Sequence, residues 1–81
     1  MEIVIEINKL YETDGTAKIV ACPEYVEKAV KMAGNGNDIV LTGPGPVWLY
    51  MIIAHALHGK ARTLTYDSPV TGKVSVFNHA C

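Results

Sequence analysis

Between Pro46 and Gly59 lies a segment, Val47 to His58, without a single Asp, Glu, Lys or Arg. No other feature limits the fold so strongly. Proline before it suits the first turn of a helix, and glycine after it suits the stop. Trp48, Leu49, Tyr50, Met51, Ile52, Ile53 and Leu57 then surround the helix. That pattern is expected of a helix buried on every side. Its longest uncharged apolar run is Val47 to Ala54. A bilayer span needs about 20 residues, so no membrane role is expected. The chain has only 81 residues, which makes one small domain over 1–81. In so small a domain a sheet covers one side of the helix. A homo-oligomer would cover the other; the alternative is the first helix and its loops.

The remaining elements follow from periodicity. Glu2 to Lys9 alternates, with Ile3, Ile5 and Ile7 on one face, which predicts a strand. Glu12-Thr13-Asp14-Gly15 is a turn signal, and Thr16 to Ala21 is expected to pair back as a second strand. Pro23, then Val26, Ala29, Val30 and Ala33 at helical spacing, then Gly34, predict a first helix. Asp38 to Thr42 reads as a buried strand, Ala61 to Tyr66 as another, and Lys73 to Phe77 as a last one after the turn Asp67 to Gly72. The order β-β-α-β-α-β-β implies an α/β domain of α+β character. Its mixed sheet has a parallel β-α-β centre, hairpins outside it and helices packed on it.

Apolar residues make up 49% of the chain, which excludes disorder. A net charge of −1 excludes a general nucleic-acid clamp. Two cysteines, Cys22 and Cys81, do not make a disulfide framework, and Met1-Glu2-Ile3 does not begin a secretory signal; a reducing, cytoplasmic setting is expected. Charge is divided unevenly. Residues 1–40 carry four Lys against seven acidic residues, whereas 41–81 carry Lys60, Arg62 and Lys73 against Asp67 alone. His55, His58 and His79 also lie in the second half, so an anionic ligand belongs there. One carboxylate after Asp38 is too few for a two-metal hydrolase.

Thr42-Gly43-Pro44-Gly45-Pro46 joins a strand to the apolar helix, and a helix N-terminus behind such a loop attracts phosphate. The spacing matches no standard phosphate loop, and by itself it favours a tight turn. His58, at the helix end, reads either as a general acid or phosphate contact, or as a residue satisfying free carbonyls. His55 reads as a core or interface residue, Asp67 alternatively as a turn aspartate, and His79 alternatively as an exposed terminal residue. Parallel third and fourth strands put Asp67 at the edge of the Gly45 loop. The intervening helix, about 18 Å long, carries His58 to the opposite edge, where His79 also arrives. Within one subunit His58 and Asp67 cannot act on one bond; they are unrelated, or two subunits share a site.

Thr42-Gly43, Gly45-Pro46-Val47-Trp48-Leu49, Ala54-His55, His58, Tyr66-Asp67, Gly72 and His79 together resemble the third Csx family of CRISPR-associated accessory proteins, ring nucleases of the Crn type. The resemblance spans roughly residues 39–79 and agrees with residues 1–38 in element order alone. It implies cleavage of cyclic tetra-adenylate, the second messenger of type III CRISPR defence, to linear di-adenylate. It also implies an association with manganese, and homodimers that sandwich the ring and form a tetramer on it. Carried over, His58, Asp67 and His79 are catalytic, His79 being alternatively linked to the metal. Gly43, Gly45, Pro46 and Trp48 belong to the ligand-binding loop. The family's Asp-Pro-Arg is replaced here by Asp67-Ser68-Pro69-Val70-Thr71, without arginine.

In the mechanism these roles imply, the ribose 2′-hydroxyl attacks the adjacent phosphorus, His58 is acid or base, and Asp67 orients the nucleophile or holds a metal. Two other readings stand beside it. One is a cyclic oligoadenylate-binding sensor or sponge without catalysis. The other is a manganese-dependent 3′ ribonuclease acting on short RNA.

Overall fold

The computed structural model describes residues 1–79. Six main elements run in the order β1 (Glu2–Glu6), α1 (Cys22–Ala33), β2 (Asp38–Thr42), α2 (Val47–Leu57), β3 (Thr63–Ser68) and β4 (Gly72–Asn78). Two 3-10 segments, Ile7–Asp14 and Ile19–Ala21, fill the connection from β1 to α1. The sheet order is β1-β2-β3-β4, with β1, β2 and β3 parallel and β4 antiparallel to β3. The small mixed-sheet domain expected from the sequence is therefore present, with its parallel centre.

The N-terminal hairpin is not. Thr16 to Ala21 forms no strand, and β1 ends at Glu6 instead of Lys9. Ile5 and Ile7 are both fully buried, but Ile7 belongs to the 3-10 segment, which turns the chain under α1 and buries Leu10 as well. β1 pairs instead with β2, across the α1 crossover. The 14–18 connection is held by a buried phenol: Tyr25 donates to Asp14 Oδ2 at 2.8 Å and accepts from the Lys18 amide at 3.1 Å. Ile19 and Val20 are left exposed, apolar residues with no sheet face to occupy.

Both crossovers advance across the sheet in the same direction. Connections of one hand then put α1 and α2 on one face, where they pack against each other. Period-two alternation sorts the strands. Ile3, Ile5, Ile39, Leu41 and Leu64 point to the helices and meet Tyr25, Ala29, Leu49, Ile53 and Leu57 in one core. The opposite face carries Glu2, Glu6, Asp38, Thr63, Thr65 and Asp67, alongside Val4 and the buried Val40.

Helix α2 departs from the expectation of burial all round. Leu49, Ile53 and Leu57 are fully buried, while Val47, Met51 and Ile52 are exposed, Val47 by 74%. The sheet lies beneath α2 and α1 beside it, but two helices do not cover four strands. The flank of α2 over β4 stays open. His55, expected in a core or interface, is exposed within the single chain. The Cys22 thiol is free, and Cys81 lies outside the described residues. Among the described residues no helix is long and apolar enough to cross a membrane.

Candidate functional site

The C-terminal edge of the parallel strands is where an open α/β sheet ordinarily binds ligands. Here Thr42, Gly43, Pro44 and Gly45 face Tyr50, Tyr66, Asp67 and Pro69 across a groove of about 500 Å³. β2 and β3 run in register, Leu41 opposite Tyr66, so the residues that follow them emerge together. Thr42 Oγ1 donates to the Asp67 carbonyl at 3.2 Å and ties the two strand ends. Asp67 itself is half-buried, and in the β3–β4 ladder it stands opposite Lys73.

The loop is rigid for reasons internal to the fold. Gly43 has φ +95°, and a Cβ there would strike Asn8 Oδ1. A Cβ on Gly45 would lie 2.5 Å from Ile7 Cγ2. These glycines thus let the loop lie against the Ile7–Asn8 turn, a requirement of packing before any ligand is considered. Asn8 Oδ1 is buried beneath the loop without a hydrogen-bond partner. Two phenols fix the loop carbonyls: Tyr50 donates to Gly43 O, and Tyr11 donates to Pro44 O at 2.8 Å. In a trans peptide the carbonyl of Pro44 and the N–H of Gly45 point in opposite directions, so the Tyr11 contact turns that N–H away from Tyr11. Burial pushes the Tyr50 hydroxyl up to about 12, with Tyr66 and Tyr11 adding to the shift. Tyr50 therefore remains a donor at neutral pH.

The expected loop residues divide. Gly43 and Gly45 line the groove. Pro46 caps α2 with extended backbone, and Trp48 packs, half-buried, against the core. Tyr50 and Tyr66 line the groove without any sequence signal that places them there. Periodicity marks them as core, and only their aromatic type hints at more.

His58 and His79 meet at the opposite edge. The His58 ring lies 4.7 Å from His79 and 5.1 Å from Phe77, centroid to centroid, both near edge-on. The His79 amide donates to the Arg62 carbonyl at 2.8 Å, which anchors the end of β4 beside the start of β3. Both imidazoles are exposed. From Arg62 to Asp67 the strand advances about 16 Å at its usual rise per residue. One subunit therefore keeps the histidine pair and the aspartate at separate edges, as the element order predicts. Among the described residues no three His, Cys, Asp or Glu side chains gather as a metal-binding group.

Comparison with curated proteins and with solved structures gives no match. A family model does match: that of the CRISPR-associated protein Cas_csx3, over residues 16–81, from the segment before α1 through both edges of the sheet. With most of its length inside that match, the chain belongs to the Cas_csx3 family of CRISPR-associated proteins.

Proposed function

We propose that this protein is a ring nuclease that opens a cyclic oligoadenylate, cyclic tetra-adenylate by resemblance, at a site completed between subunits. The observation that carries the reading is the separation of the two edges, with His58 and His79 on one and Asp67 with the glycine loop on the other. Neither edge alone holds both a proton-transfer group and a phosphate cradle. A homodimer that joins a second dimer around the ring would bring unlike edges together, and a symmetric ligand suits such an assembly.

The ligand supplies its own nucleophile. The ribose 2′-oxygen forms a bond to phosphorus, the bond from phosphorus to the 5′-oxygen breaks, and the 2′-hydroxyl proton leaves as the 5′-oxygen gains one. Asp67 orients the 2′-hydroxyl. His58, positioned by His79 and Phe77, moves the proton. Lys73, opposite Asp67 in the ladder, is the cation available to the phosphoryl oxygens where the family's arginine is missing. Among the described residues one subunit gathers no complete set of manganese ligands. The assembled edges would offer imidazole nitrogens from His58 and His79 and a carboxylate oxygen from Asp67 of a neighbouring subunit. Those donors suit manganese; when bound, it would stabilise charge on phosphoryl oxygens.

The test is complementation. His58→Ala and Asp67→Asn are each expected to lose cleavage of cyclic tetra-adenylate, by roughly 10²–10⁴-fold for a lost acid–base group. Mixed in equal amounts, they are expected to recover it, because some shared sites then contain both intact halves. No recovery from two folded variants would remove the shared site. A second reading, binding without cleavage, is favoured by the absent arginine; calorimetry showing tight binding with no linear product from the wild-type protein selects it.

A further inference from the structure

We infer that the apolar cleft under the open flank of α2 is a nucleobase subsite, continuous with the polar groove at Asp67. The inference rests on the reading above that the Asp67 edge holds a nucleotide ligand. Val47, Tyr50, Met51 and Ala54 recur at helical spacing and overhang Leu41, Tyr66 and Val76, enclosing about 290 Å³. That is the small end of the usual range for small-molecule sites and suits one flat heterocycle.

Continuity with the polar groove selects the occupant. Tyr50 and Tyr66 line both cavities, so one aromatic wall has a hydrocarbon cleft on one side and the glycine loop and Asp67 on the other. The rings meet edge to face, with centroids 5.0 Å apart, and the bond from Tyr50 to Gly43 O fixes the wall to the loop. A ligand filling both cavities carries a flat, weakly polar ring a short distance from a hydroxylated, anionic group, which is the chemistry of a nucleotide. Apart from the tyrosine hydroxyls, the residues lining the cleft offer no side-chain hydrogen-bonding group. It therefore recognises the base by stacking and shape. Adenine and other purines are accepted alike, and the identity of the base is not read here.

The experiment is a methyl-detected NMR titration with adenosine monophosphate and, separately, ribose 5-phosphate, which lacks the base. Adenosine monophosphate is expected to shift the methyl signals of Met51, Ala54 and Val76 and to bind about tenfold more tightly than ribose 5-phosphate, the usual scale of one stacked base. Ribose 5-phosphate is expected to leave those methyls unmoved. Ala54→Trp, or Val76→Trp on the exposed strand, fills the cleft and should abolish the advantage while leaving ribose 5-phosphate binding unchanged. Equal affinities, or unmoved methyls, overturn the base subsite even where cyclic tetra-adenylate is still cleaved. Methyl shifts in a protein that cleaves nothing leave the subsite standing and sink the nuclease. Loss of self-association in Ala54→Trp with the advantage retained assigns the cleft to a second copy of the chain and overturns the proposal.

Discussion

The two edges of the sheet are built in opposite ways. The Asp67 edge is concave and interlocked: the loop 43–46 lies against Ile7 and Asn8, two phenols hold its carbonyls, and Thr42 ties β2 to β3. The His58 edge is convex and loosely held, three rings resting on one another at the surface with one backbone bond from His79 to Arg62. The first is shaped before a ligand arrives. The second presents its groups outward, to whatever is placed against it. Substitutions at the first edge should therefore affect folding and function together, and those at the second should separate them.

The largest stability effect is expected from Gly43→Ala. Its Cβ meets Asn8, and its positive φ adds strain of about 1–3 kcal/mol. Thermal melting should show a fall of several degrees, since each kcal/mol is worth roughly 4–8 °C in a domain of this size. His79→Ala is the contrasting case: cleavage should drop, whereas the loss of one exposed aromatic contact costs at most about 0.5–1.5 kcal/mol. A melting point that fell as far as in Gly43→Ala would erase the distinction between the edges. Tyr11→Phe removes one largely exposed hydrogen bond. The stability lost is about 0.5–1.5 kcal/mol. The same change should weaken ribose 5-phosphate binding more than it lowers stability, through a loosened Gly45 N–H.

The smallest effect is a dependence on pH. The Tyr50 hydroxyl is raised from 10.0 to about 12, so its protonated form is favoured in the fold. Its contribution is fully present below pH 10, where both folded and unfolded chains are protonated, and is lost as pH rises through about 12. Denaturant unfolding of Tyr50→Phe against the unaltered protein should show a shallower decline across that window. Equal slopes would mean that Tyr50 is not held as a donor to the loop.

Much of the architecture is legible in the sequence. Pro46 and Gly59 bracket α2, Pro23 and Gly34 bracket α1, and the alternation of β4 survives with one irregularity opposite Leu64 and Thr65. The split of the functional residues between two edges follows from parallel strands joined by a helix. The segment ahead of α1 is where the reading fails. Ile3, Ile5 and Ile7 alternate as a strand does, but burial of Ile7 beneath α1 is equally well met by a 3-10 turn. Nothing local in Thr16 to Ala21 shows that β1 has given its free edge to β2.

The sequence by itself determined which segments are helix or strand in the parallel centre and at which edge each ionisable group emerges, because period and chain direction are local properties. The tertiary structure alone decided that both helices share one face, that Gly43 and Gly45 yield space to Asn8 and Ile7, that Lys73 stands opposite Asp67, and that Tyr50 and Tyr66 form a wall between two cavities. Each of these is a meeting of residues brought together by how the layers pack, and no window along the chain contains the partner that settles it.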